Sequence, residues 1–218
     1  MMSKNIASTL DFLKMQLPKS QHYIDYPAEM EYRIRHSIRV ANIGAEIAKK
    51  ENLNVEAMTI GCLLHDISYM HKFHSEADWQ NHGRISASIS RKYLDDIDIE
   101  KNLKEEICYG IAIHVDDESD FEGTRTLFAE TIGDSDNLDR FDVYRIYENL
   151  QNSNFSGLTH VEQLDYVVEK IERIRALEKN KLGSVTATKM WLERLSYQLE
   201  FFSRLKNQIE NGKVINTV

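Results

Sequence analysis

Apolar residues recur at intervals of three and four through long stretches of this chain, and only two prolines, both before residue 28, and nine glycines interrupt them. That spacing is the period of the α-helix and predicts an all-α protein. Residues 5 to 17 place Ile6, Leu10, Leu13 and Leu17 on one face, and the segment from Pro18 to Pro27 breaks the pattern. A second helix, from about Ala28 to Lys50, carries His36, Val40, Ile43 and Ile47 on one stripe. Asn54 is a fitting N-cap for a third, through Ala57, Ile60, Gly61 and Leu64, which delivers His65 and Asp66 where helix meets loop. A polar, histidine-rich connector precedes a helix with His82, Ile85, Ile89 and Tyr93 in line, and a further helix from about Ile99 aligns Leu103, Ile107, Ile111 and His114. The next, from about Thr124 to Tyr147, repeats Phe128, Ile132 and Asp136 every fourth residue; two long amphipathic helices, about 159 to 181 and 185 to 210, join near Gly183.

The apolar stripes are interrupted in a consistent way. His36, His65, Asp66 and Asp136 come from three separate helices, and each puts a polar group where its neighbours in the stripe are core residues. Burying such groups is costly unless they pair or bind a metal. Two neutral imidazoles and two carboxylates form a mixed N/O set that suits a divalent cation and leaves coordination positions open. His82 and His114 also face inward and read as ligands of a second ion, as contacts to a substrate phosphate, or as plain core histidines. His71 and His74 fall in the connector and read as solvated.

Composition narrows the classes. A chain of 218 residues, 42% hydrophobic and 28% charged, is compatible with a single domain over 1–218: a core of about residues 28–150 with the C-terminal helices, about 159–210, packed on it. No apolar run approaches the roughly 20 residues of a membrane span, and the amphipathic start lacks the apolar core of a signal peptide, so a cytoplasmic protein without membrane association is expected. Cys62 and Cys108 lie inside apolar helical patterns and read as buried thiols in a reducing compartment. A formal charge of -8 and the lack of a Lys/Arg cluster argue against a nucleic-acid partner. The outer faces of the C-terminal helices would allow a homodimer.

His36 in Arg-His-Ser-Ile-Arg-Val-Ala, His65-Asp66 after an apolar run and Asp136 in Ser-Asp-Asn-Leu-Asp resemble, in order and flanks, the HD superfamily of metal-dependent phosphohydrolases. The likeness covers roughly residues 28 to 210. His-Asp-Ile-Ser-Tyr-Met-His-Lys is similar to the loop of small stand-alone bacterial HD proteins, whose lysine near the site matches Lys72; Asp-Ser-Asp-Asn-Leu-Asp-Arg and the helices around Ser-Val-Thr-Ala-Thr-Lys are similar to their later segments. Asn137 stands where those proteins have arginine, and His71 where proline is common.

This resemblance implies an HD-domain helical bundle with a metal site at its centre. His36, His65, Asp66 and Asp136 would be the ligands of a divalent ion (Mn, Mg, Co, Ni, Fe or Zn), with Asp66 bridging to a second ion if His82 and His114 hold one. It also implies hydrolysis of a phosphorylated small molecule by a metal-activated water, with Asp66 and Lys72 in the catalytic machinery. The substrate class is a nucleotide, by triphosphate pyrophosphohydrolase or phosphatase chemistry. Asp134 and Asp139 would orient ligands or else sit as exposed helix or cap residues, and Arg39 would contact phosphate or form a structural salt bridge. No Gly-Tyr-Pro companion motif follows His65-Asp66, and Tyr69 and Met70 occupy the region where alarmone hydrolases carry Glu-Asp. Two other outcomes remain open: a diiron oxygenase of the same superfamily, and a non-catalytic metal-binding regulatory module.

Overall fold

The structure is a computed structural model that describes residues 3–71 and 73–212. Among the described residues there are eleven α-helices, three short 3-10 helices and no strand. The chain divides into two compact units, Met1–Asp139 and Arg140–Val218.

The first unit is built around α4 (Val55–Leu64), whose residues Ala57, Met58, Ile60, Gly61, Cys62, Leu63 and Leu64 are all buried. A helix apolar on every side belongs inside a core. Around it lie α1 (Lys4–Gln16), α3 (Pro27–Lys50) and α7 (Lys101–Ile113), and α6 (His82–Asp95) packs along α7. α8 (Leu127–Arg140) completes the core with Phe128 and Ile132. Asn54 does cap α4, its side chain accepting from the Ala57 N–H at 2.9 Å. α4 ends on His65 as its C-cap, and Asp66 follows immediately, so both side chains sit at the exit of the most buried helix.

Between the apolar windows the structure adds two short helices that the spacing does not announce. α2 (Gln21–Asp25) lies in the stretch bracketed by the prolines. α5 (Glu76–Gln80) lies in the polar connector, held by a capping box in which the Ser75 hydroxyl accepts from the Asp78 N–H at 3.1 Å and the Asp78 carboxylate accepts from the Ser75 N–H. Local side-chain-to-backbone bonds of this kind fold a segment that has no apolar face to bury.

The helix expected over 124 to 147 is two helices. α8 ends at Arg140 and α9 (Val143–Asn152) starts afresh, with Asp142 as its N-cap accepting from the Val143 N–H at 2.7 Å. The second unit continues with α10 (His160–Leu177), opened by a Thr159–Glu162 capping box, and α11 (Val185–Asn211), opened by Ser184. α10 and α11 pack along each other, burying Val167, Ile171 and Ile174 from one and Trp191, Leu195 and Phe202 from the other. Phe141 packs edge-on to Trp191 at 4.6 Å between ring centroids.

Candidate metal centre

Four imidazoles converge on one carboxylate. The Asp66 Oδ2 atom lies 3.5 Å from His36 Nε2 and 3.4 Å from His65 Nε2, while Oδ1 lies 3.3 Å from His82 Nε2 and 3.7 Å from His114 Nε2. Asp136 closes the first side, its Oδ1 at 3.2 Å from His36 Nε2 and 3.7 Å from His65 Nε2. All six residues are buried or nearly so. Two donor groups result, His36 with His65 and Asp66, and Asp66 with His82 and His114, and Asp66 belongs to both.

Helix geometry explains why the rings point this way. His65 and His114 are the C-caps of α4 and α7, and each donates Nδ1–H back to a carbonyl three residues earlier, Cys62 at 2.8 Å and Ile111 at 2.6 Å. His82 opens α6 and does the same to the Trp79 carbonyl at 2.5 Å. His36 lies mid-helix and donates instead to the Asp139 carboxylate at 2.8 Å. With every Nδ1 committed as a donor, each ring in its neutral form has its Nε2 lone pair facing inward, the tautomer a metal-ligating histidine needs. The approach of α6 to α7 is tight: a Cβ on Gly83 would stand 2.7 Å from the Ala112 carbonyl and 3.0 Å from the Ile111 carbonyl that orients His114.

Lone pairs aimed at ionised carboxylates repel unless a cation lies between them. Asp66 and Asp136 are both held well below the usual carboxylate range: burial pushes each upward, and the surrounding histidines, with Arg33 for Asp66, overcome it. Burial alone would depress His36 and His65, but the carboxylates reverse the effect and raise His36 to about 11 and His65 to about 9. His114 moves the other way, lowered by burial despite Asp66. The nitrogens His65 Nε2 and His114 Nε2 are buried without a hydrogen-bond partner. Protons thus satisfy one side of the cluster in part, and the other side stays unsatisfied. The residues present fit divalent cations, whose charge would answer both carboxylates and both orphaned nitrogens.

Around the donors the structure places the remaining candidates. Asp139 is buried and grips both His36 and Arg39, the latter through Nε at 2.7 Å and Nη2 at 3.0 Å. Arg39 is therefore engaged in a two-pronged salt bridge, and Asp139 is not the exposed cap residue that the sequence also allowed. Asp134 is buried as well, at 9% exposure, and likewise not an exposed helix position. His71 and His74 are exposed. Lys72 lies outside the described residues.

Sequence reasoning passed over Arg33. Its Nη1 donates to Asp66 Oδ2, its guanidinium lies 3.6 Å over the Tyr69 ring, and its Nε is buried without a partner. The available signal was positional: Arg33 precedes His36 by three residues on the same helix, so both share a face. Nothing in the sequence marked Tyr69 as its stacking partner.

Among known proteins, the structure is similar to the crystal structure of a predicted HD superfamily hydrolase from an uncultured Thermotogales bacterium. The TM-score is 0.64 at 20% sequence identity, covering 93% of this chain and 91% of that one. No curated protein matches the chain. Among the described residues, no helix is long and apolar enough to cross a membrane. The HD-domain family matches residues 33–141, a span that begins at Arg33 and takes in every donor of the cluster. HD domains bind divalent metals, and with half of its length matched and its helical fold shared, this chain belongs to the HD-domain family.

Proposed function

We propose that the protein is a metal-dependent phosphohydrolase acting on a small phosphorylated molecule, a nucleotide being the leading class. The observation that carries this reading is the Asp66 carboxylate, which turns one oxygen to His36 and His65 and the other to His82 and His114. His36, His65, Asp66 and Asp136 would hold one divalent ion, and Asp66, His82 and His114 a second. When bound, such ions supply Lewis-acid polarisation of a phosphoryl oxygen and acidify a water.

The chain's own residues do the rest. Asp139 fixes the His36 ring, and Arg39 fixes Asp139. The carbonyls of Cys62, Trp79 and Ile111 fix the other three rings, so the donors keep their geometry before any substrate arrives. Arg33 is positioned to receive phosphate: it is a planar cation braced on Tyr69, with an unpartnered Nε beside the donor set.

The test is a panel of nucleoside mono-, di- and triphosphates with Mn, Co, Mg or Ni, reading both phosphate and pyrophosphate. Release of either, stimulated by a divalent ion and stopped by a chelator, supports the reading and separates phosphatase from pyrophosphohydrolase action. The nitrogen-rich second donor group favours one rival, a diiron oxygenase. Substrate-dependent oxygen uptake with a mixed-valent diiron signal, and no phosphate release, would establish that rival instead.

Two further outcomes follow from the same geometry. In His114→Gln, ion stoichiometry measured by elemental analysis should fall from about two per chain to about one, because only the second group loses a donor; an unchanged count would remove His114 from the set. Ion binding should also expel protons. The metal-free protein keeps His36 and His65 protonated at neutral pH, since their pKa values are raised to about 11 and about 9, whereas a ligand must be neutral. The sign is therefore an apparent ion affinity that climbs with pH from neutrality, most steeply up to about 9, where His65 loses its proton, and then on to about 11, where His36 does. Calorimetric titration in buffers of different ionisation enthalpy should read release of about one to two protons per chain, and no buffer dependence would contradict the arrangement.

A further inference from the structure

The second unit contains a cavity of about 170 Å³ among α9, α10 and α11, and its rim is cationic. Arg140, Arg145, Lys170 and Arg173 line it, and no carboxylate is among the lining residues. In a chain with 27 Lys and Arg against 35 Asp and Glu, four cations around one small cavity run against the overall charge. Lys170 and Arg173 stand one helical turn apart on α10, with the buried Ile174 beside them. Burial, then the nearby Arg173 guanidinium, lower the Lys170 ammonium below its ordinary value, and Glu169 offsets this only in part. Arg145 pairs with Glu148 at 3.3 Å and Arg140 is engaged as well, so Lys170 and Arg173 carry the positive charge of the site. Buried Gln198 adds an amide to the wall, held by donation to the Phe141 carbonyl at 2.5 Å.

Like charges gathered at a concave surface repel one another and concentrate anions there. The volume is below the roughly 300 Å³ at which pockets begin to enclose a drug-sized ligand, so the fit is to a small anionic group. Guanidinium groups from three helices and an ammonium suit the several oxygens of a phosphoryl group better than they suit a monovalent ion such as chloride.

We propose that this cavity is a phosphate-binding site, taking inorganic phosphate or the phosphate of a small phosphorylated molecule, built from residues none of which belongs to the metal centre. It does not depend on the hydrolytic reading, because none of its lining residues is among the HD donors.

The test uses the full chain, stripped of metal with a chelator so that no ion bridges phosphate to the first unit. Inorganic phosphate is titrated calorimetrically, with chloride holding the ionic strength constant. Wild type should bind saturably with one site per chain. Lys170→Gln/Arg173→Gln should weaken binding by about tenfold or more, since each lost charge-assisted bond contributes on that scale. Lys179→Gln, an exposed lysine outside the cavity, should not change it. A parallel titration with a nucleoside monophosphate identifies the source: tighter binding than inorganic phosphate assigns the site to a phosphorylated metabolite, and equal or weaker binding assigns it to the free ion.

Neither replaced side chain is part of the core, so circular dichroism and thermal midpoint should match wild type. If the double variant does not fold, Arg173→Gln alone, at an exposed position, should still weaken binding. Absence of saturable binding in wild type, or equal affinity in the variants, overturns the proposal.

Discussion

Asp66→Ala is expected to empty both ion positions at once and to lower hydrolysis by at least about 10³-fold, the scale of several kcal/mol of lost transition-state stabilisation. Each of the other donors serves one group, whereas Asp66 serves both. The same substitution should destabilise the metal-free protein, because Arg33, His36 and His65 would be left around a void with one carboxylate fewer to offset their charge. Breaking a buried pair in this way costs about 3–5 kcal/mol. The sign with pH follows from the depressed Asp66 value. Its contribution is fully present above the unfolded carboxylate pKa of about 3.9 and is lost only as pH falls through the lower folded value. The deficit in the variant is therefore readable by denaturant unfolding at neutral pH. Asp66→Asn keeps the volume and should separate the loss of charge from the loss of packing. Unchanged ion content and turnover in Asp66→Ala would falsify the assignment.

What the sequence could reveal of this site depended on how far each residue's environment is set by its own helix. His36 and Asp136 interrupt regular apolar stripes, and such a stripe faces the core whatever the tertiary arrangement, so their inward direction was legible. His65 and Asp66 were legible because an N-cap at Asn54 fixes where a short, largely apolar helix can begin. Arg33 was not. It shares α3 with Arg35 and Arg39, and local pattern does not distinguish the three: Arg35 pairs with Glu31 at the surface with 70% of its side chain exposed, whereas Arg33 is 18% exposed against Asp66. Only the return of the chain after α4 makes that difference. The meeting of His82 and His114 at Asp66 was legible only as one alternative that the family resemblance implied, since their own helices leave a plain core position equally open and the meeting depends on how closely α6 approaches α7 at Gly83. The break between α8 and α9 was missed for a local reason. The apolar spacing runs on past Arg140, and Asp142 acts as a cap only once the chain has already turned.

Arg33 supplies the second large expectation, in which two measured quantities should move in opposite directions. In the metal-free protein its guanidinium donates to Asp66 Oδ2, one of the atoms in the first donor group. An arriving cation must compete with it there, both for the oxygen and against its charge. Arg33→Met removes that competitor, so ion affinity should rise, by about 10- to 100-fold if a charged hydrogen bond of about 1.5–3 kcal/mol is released. Turnover should fall instead. A planar cation braced on Tyr69 with a free Nε is the group placed to bind phosphate oxygens, and removing one such preorganised donor costs about 10²–10³-fold in rate. A merely structural arginine would, when removed, loosen Asp66 and weaken ion binding together with activity, so a joint decline would sink this role. Arg33→Lys sharpens the distinction: it keeps the charge near Asp66 but loses the flat face against Tyr69 and the unpartnered Nε. Ion affinity in that variant should stay near wild type while turnover remains low, because charge alone governs the competition with the ion and the shape of the guanidinium governs the hold on phosphate.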